Sequence, residues 1–229
     1  MLSARTRRLP TPDIHPVEHP LTPMKLHSPS CDRNQEVIAS HLDAILAPDA
    51  CVWEIGCGTG QHCVYFGAHL PSRTWIPSDA PSSEAYLAST RAYVAESDLP
   101  NVYPPIAFDL LDNTPPAFPQ QPTAIVSVNV IHIAPFEATT RLFERARDVL
   151  APGDPVILYG PFRHRDRPFE PSNATFDRFL RERDPRSGIR VLDEVDEIAR
   201  ACGFAMQQVY DVPANNRIAW WRRDSHVPG

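Results

Sequence analysis

An α/β fold is what this sequence predicts: a Rossmann-like, seven-stranded, mostly parallel sheet with a C-terminal antiparallel hairpin and helices on both faces. Three observations predict it. The apolar strand Cys51–Ile55 runs into glycines spaced G-x-G-x-G at Gly56, Gly58 and Gly60, and then into a helix. Glycine admits otherwise forbidden dihedrals and leaves no Cβ in the way of a ligand, and the helix aims its free N–H groups at that ligand. Strands and helices then alternate regularly, as in a sheet wound on both faces. Finally, the strands near Phe204–Tyr210 and Arg217–Trp221 are separated only by Val212–Asn216, too short for a helical crossover, so they pair antiparallel.

Taken in chain order, Met1 to His27 is dense in proline with little apolar periodicity, and a disordered tail is expected over residues 1–27. Arg5, Arg7 and Arg8 faintly resemble a mitochondrial presequence, but Asp13, Glu18 and the prolines spoil an amphipathic helix. A helix is predicted from Ser30, with Asp32 and Gln35 as a capping box, Val37, Ile38, His41, Leu42 and Ile45 on one face, and Pro48 past its end. Residues 28–48 are thus expected as a lid ahead of the first strand, within a domain spanning 28–229.

Further helices are predicted over Gln61–Leu70, Ser82–Ser97, Phe136–Leu150 and Asp193–Cys202, the last stopped by Gly203. Strands are predicted at Thr74–Asp79, Val102–Phe108, Ala124–Val130 and Pro155–Tyr159. Between Tyr159 and Val191 the chain exceeds an ordinary strand-to-helix connection, and Phe176, Phe179 and Leu180 give it a short amphipathic helix. Residues 160–190 are therefore expected as an insertion over the site.

With 229 residues and 42% hydrophobic content, the chain suffices for one full core plus a tail. A formal charge of −6 argues against a broad nucleic-acid surface. No apolar run is long enough to span a bilayer and no secretory h-region follows the N-terminal arginines, so a soluble, cytoplasmic protein is expected, monomer or homodimer. The cysteines Cys31, Cys51, Cys57, Cys63 and Cys202 form no C-x-x-C pair and are read as reduced thiols. Cys57, His62 and Cys63 cluster at the glycine turn, but Cys57 lies inside the turn while the other two project from the helix, so no metal is expected.

A dinucleotide fingerprint, G-x-G-x-x-G, puts its third glycine at position 61, where Gln61 stands. The spacing favours S-adenosylmethionine (SAM), which has no pyrophosphate, with S-adenosylhomocysteine as the product. Asp79, nineteen residues after Gly60 and ending a strand, is the ribose candidate. Asp109-Leu110, at the end of the third strand, stands where an acid accepts from an adenine amino group. Glu54 inside its apolar strand needs a cationic or hydrogen-bonded partner, for which the SAM ammonium is a candidate, directly or through water.

The blocks Ser28-Pro29 with Arg33-Asn34, Gly56-Cys57-Gly58-Thr59-Gly60-Gln61-His62, Pro77-Ser78-Asp79, Asn129 to Pro135 and Tyr159-Gly160-Pro161-Phe162 are distinctive. So are Pro171-Ser172-Asn173, Arg183-Asp184-Pro185, Gly188-Ile189-Arg190 and Pro213-Ala214-Asn215-Asn216. Together, from about residue 28 to the end, they resemble the methyltransferase-like protein 26 family, also called domain of unknown function 938. The resemblance implies a class I SAM-dependent methyltransferase fold with no settled acceptor. Cys57 departs from the serine of many relatives, a change that leaves the turn intact.

Methyl transfer is an in-line displacement governed by alignment and desolvation. Residues after the fourth and fifth strands should face the reacting centre. Asn129, His132 and Tyr159 are the catalytic candidates, His132 as base or acceptor-positioning residue. Glu54, Gly56, Gly58, Gly60, His62, Asp79, Asp109, Leu110 and Asn129 are the cofactor candidates. Arg33, Asn34, Phe162, Arg163 and Asn173 are the substrate candidates, the arginine-rich loop Arg163–Arg167 being read either as a hold on an acidic acceptor or as a solvated connection. The expected activity is methyl transfer to an O, S or N nucleophile of a small molecule. The alternatives are a protein or RNA acceptor, or a non-catalytic SAM-binding regulator; a nicotinamide enzyme is disfavoured by Gln61.

Overall fold

The structure, a computed structural model, describes residues 25–112 and 116–225. Seven strands form one sheet: β1 Cys51–Ile55, β2 Thr74–Asp79, β3 Ile106–Ala107, β4 Ala124–Val128, β5 Pro155–Gly160, β6 Phe204–Val212 and β7 Asn216–Arg223. Their spatial order is β3-β2-β1-β4-β5-β7-β6. The first five are parallel, whereas β7 runs antiparallel to both β5 and β6. The strand order reverses between β1 and β4, and the crevice above that reversal is where such sheets take ligands.

Among the described residues seven α-helices and a 3-10 turn at Pro81–Ser83 accompany the sheet: α1 Pro29–Ile45, α2 Gln61–His69, α3 Glu84–Ser97, α4 Val130–Ile133, α5 Glu137–Val149, α6 Pro171–Arg183 and α7 Leu192–Ala201. Because β1 and β5 are buried along their whole length, alternate residues feed two separate cores. Trp53, Ile125, Val156 and Leu158 pack with Leu142, Phe143 and Val195 of α5 and α7. Val52, Val126, Ile157 and Tyr159 pack on the other face with Leu42 of α1 and Phe66 of α2. In α5 the apolar positions Ala138, Leu142 and Ala146 recur every four residues and are at most 1% exposed, so one stripe of the helix faces the sheet.

Several expectations are adjusted. Residues 1–24 of the expected tail lie outside the described residues, while Lys25 pairs with Glu96 and Leu26 N donates to Ser89 Oγ at 2.7 Å. Helix α1 begins at Pro29 with Ser28 as N-cap, so Asp32 is not the cap; its carboxylate instead accepts from Gln61 Nε2 at 3.0 Å and contacts His27. The third strand shrinks to two residues because Pro104 and Pro105 offer no N–H to a ladder, Val102 keeping only an isolated bridge to Trp75. The fourth strand stops at Val128, since Asn129 turns left-handed (φ 64°) and starts the one-turn helix α4. The 160–190 segment carries a 13-residue helix, α6, longer than the short one expected.

Candidate active site

The glycine turn closes under steric necessity. Gly56 (φ 74°) and Gly60 (φ 90°) both adopt the left-handed region. A Cβ on Gly56 would overlap Val130 Cγ2, and one on Gly60 would lie 2.6 Å from Thr90 Cα. At Gly58 a Cβ would enter open space, the bare face that a ligand needs. Gly56 N and Cys57 N both donate to Ser78 O, at 2.8 and 2.9 Å. Gly58 N donates to Asp79 Oδ2 at 2.8 Å, while Asp79 Oδ1 accepts from Ala80 N. Each carboxylate oxygen retains a lone pair for a diol.

Glu54 stands at the foot of this turn, 1% exposed. Burial, reinforced by the nearby Asp79 charge, pushes its carboxyl up to about 8. Its Oε2 is buried with no hydrogen-bond partner among the described residues, an acceptor suited to an incoming cationic donor. Asp109 Oδ1 accepts from Leu111 N at 2.9 Å, and Leu110 is 7% exposed and packs into the core beneath.

Helix α1 is tied to the turn through residues from both sides. Asn34, buried, accepts from His62 Nε2 at 2.8 Å. His62 Nδ1 lies 3.9 Å from Cys31 Sγ, and its ring stacks on Phe66; burial pushes its pKa down to about 4. Both ring nitrogens of His62 thus face α1. Gln61, not singled out as a site residue by sequence, is a hub: its Oε1 accepts from Ser28 N (2.6 Å) and Thr59 Oγ1 (3.0 Å), and its Nε2 holds Asp32. Its presence where a dinucleotide turn has glycine was the available signal.

Beyond β4, Asn129 N donates to Tyr159 O at 2.8 Å. His132 is fully buried. Its Nδ1 accepts from Arg190 N at 3.3 Å, its carbonyl accepts from Gly188 N at 2.9 Å, and Phe162 meets its ring edge-on at 5.0 Å. Burial and the Arg190 charge push it down to about 3. With Nδ1 accepting, the proton sits on Nε2, which has no partner among the described residues. Gly160 is a second residue that sequence reasoning passed over: a Cβ there would sit 2.5 Å from His132 Nε2 and 3.1 Å from Asn129 Oδ1.

The substrate candidates separate. Phe162 is fully buried in the α5 and α7 core, so it offers no surface to an acceptor. Asn173 is 5% exposed and donates to Asn215 O at 3.1 Å, fastening α6 to the β6–β7 turn. Arg33 is exposed and reaches Ser30 Oγ at 3.5 Å, and Arg163 is exposed with its guanidinium over the Phe169 ring at 5.3 Å. Among the described residues no group of three or more His, Cys, Asp or Glu is placed to hold a metal ion, and no helix is long and apolar enough to cross a membrane.

The family described as "Protein of unknown function (DUF938)" matches residues 25–223. Among solved structures, the chain is similar to the S-adenosylmethionine-dependent methyltransferase SibL in its apo form, at 20% identity over 85% of this chain and 56% of that one, TM-score 0.70. It is similar to human N-acetylserotonin methyltransferase in complex with SAM, at 14% identity over 86% of this chain and 53% of that one, TM-score 0.65. A third is CalO1, a methyltransferase in calicheamicin biosynthesis in its SAH-bound form, at 16% identity over 81% and 54%, TM-score 0.63. The chain spans just over half the length of these structures. The likeness is one of fold, a Rossmann-like methyltransferase architecture ending in the antiparallel β5-β7-β6 arrangement.

Proposed function

This chain belongs to the DUF938 family, and we propose that it is a SAM-dependent methyltransferase acting on an O, S or N nucleophile of a small molecule. The resemblance to methyltransferase-like protein 26 is part of the same reading. One observation carries it: Glu54 Oε2, buried and without a partner among the described residues, beside a glycine turn whose Gly58 meets open space among them where a Cβ would stand. The donor set fits the cofactor. Glu54 supplies an acceptor for an ammonium group, Asp79 for a ribose diol, and Asp109 with Leu110 a polar edge and an apolar floor for an adenine. When bound, SAM supplies an electrophilic methyl on a sulfonium.

In this reading the chain's own residues bind, orient and exclude water. Helix α1 covers the turn through Asn34 and Gln61, and the 160–190 segment covers the acceptor side, with Arg33 and Arg163 as the exposed candidates for the acceptor. His132 acts as a positioning residue: its Nδ1 is committed to Arg190 N and its Nε2 already bears a proton. The acceptor therefore arrives with a lone pair ready, as a thiolate, phenolate or neutral amine. Tyr159, 6% exposed and packed in the same core as Leu42 of α1, serves the lid.

The same burial of His132 favours a second reading, a SAM-binding regulator without turnover. Calorimetric titration with SAM, S-adenosylhomocysteine and NAD, repeated on Asp79→Ala, tests the cofactor; selective binding of the first two, weakened by the substitution, is expected. Folded protein that binds none of them overturns both readings. Homocysteine release with small thiols, phenols and amines then separates enzyme from regulator.

A further inference from the structure

We propose that the arginine-lined cavity between the start of α5 and the segment leading into α7 is a binding site for a small oxyanion-bearing molecule, a carboxylate or a phosphate. The cavity measures about 570 Å³ and receives Arg163, Arg181, Arg186 and Arg190. That volume lies within the range of small-molecule sites. Four arginines line it, Arg181 and Arg186 paired with carboxylates and, among the described residues, Arg163 and Arg190 not, although the whole chain carries a charge of −6.

Arg190 is the floor. It is 6% exposed, yet its donors go to carbonyls: Nε to Ile131 O at 2.7 Å, and Nη2 to Ala134 O at 2.7 Å and Arg186 O at 3.0 Å. Its guanidinium lies 5.3 Å from the Phe136 ring centroid, and Phe136 also lines the cavity. The three carbonyl contacts and the aromatic face hold the charge in place without cancelling it, and Nη1 remains uncommitted among the described residues. Arg163 is anchored through its backbone, its N donating to Arg190 O and its O accepting from Leu192 N, with its charge resting on Phe169 rather than on a carboxylate.

Arg181 and Arg186 complete the wall, held from behind by Asp177 at 2.8 Å and Asp184 at 2.8 Å. Gly188 carries no side chain where a Cβ would stand 2.7 Å from Arg181 Nη2, which leaves room for that guanidinium. Planar guanidinium groups suit bidentate recognition of carboxylate or phosphate. Glu137 and Glu194 also line the cavity, and Glu137 is drawn to Arg141 at 3.6 Å. Glu194 therefore limits the negative charge that the site accepts. The cavity shares Arg163 with the acceptor side of the methyl-transfer reading, but neither Glu54 nor the glycine turn contributes to it, so its oxyanion binding is separable from cofactor binding.

The test is calorimetric titration of the full chain, without SAM, with inorganic phosphate and separately with malonate, at fixed ionic strength and with chloride as the control. Saturable binding of at least one probe is expected. Arg163→Ala and Arg181→Ala should each weaken it about tenfold, Glu194→Gln should strengthen it, and Arg91→Ala on α3, whose partner Glu84 lies outside the cavity, should leave it unchanged. A preference for phosphate or malonate identifies the oxyanion. No saturable binding to the folded wild-type protein, or equal weakening in Arg91→Ala, overturns the proposal. SAM binding measured on the same variants separates failure of this site from failure of the cofactor reading.

Discussion

Asn34 Oδ1 accepts from His62 Nε2 at 2.8 Å across 28 positions of sequence, in a buried contact that staples α1 to the helix behind the glycine turn. Asn34→Ala leaves the His62 donor buried and unpaired, a loss of about 1–3 kcal/mol. Urea unfolding should show it, and the loss should be non-additive with His62→Ala because the two share one contact. Full additivity would mean that the pair carries no coupling.

The Glu54 carboxyl sits at about 8 in the folded protein, against an ordinary 4.5. A raised carboxyl pKa means that the folded state holds the proton more tightly, so the contribution of Glu54 to stability is complete below about 4.5 and is lost as pH rises through about 8. Thermal melts from pH 6.5 to 8.5, above the range in which the buried histidines act, should show that decline, flattened in Glu54→Gln.

A cation docking on Glu54 favours its charged form, so SAM binding near pH 7 should release a proton. Titration in two buffers of different ionisation enthalpy reads this directly. Buffer-independent heat would remove Glu54 from the ammonium site.

His62 and His132 shift the other way, down to about 4 and about 3 from 6.5, chiefly through burial. Their neutral forms stabilise the fold above pH 6.5, and this contribution is lost as pH falls through about 4 and then about 3. The fold should weaken steadily between pH 6.5 and 3, with a shallower slope in His132→Gln. An unchanged slope in that variant would show that His132 does not contribute.

Gly160→Ala places a methyl 2.5 Å from His132 Nε2 and 3.1 Å from Asn129 Oδ1. Overpacking of this kind costs about 1–3 kcal/mol. Because β5 and α4 are pressed apart there, the melting temperature should fall. A wild-type melting temperature would mean that the ring moves freely aside.

Much of the architecture was legible from residues close together in the chain. The strand-turn-helix around Gly56–Gly60 follows from local dihedral freedom, and the β6–β7 hairpin from a connection too short for anything else. The third strand was over-read because apolar residues on either side of Pro104 and Pro105 mask the two missing donors. Phe162 stands among the substrate candidates in the sequence because residue type alone does not say which core an aromatic enters.

What the sequence by itself determined is the order of elements, the bare turn, and the acids Glu54, Asp79 and Asp109 at successive strand ends, because periodicity and backbone freedom act over a few neighbouring residues. Only the tertiary structure decided that His132 is sealed under Gly160 and Arg190, that Gln61 joins α1 to the turn, and that four arginines share one cavity. These outcomes depend on burial and on partners tens of positions away, and desolvation and hydrogen bonding are properties of the packed neighbourhood rather than of the residue.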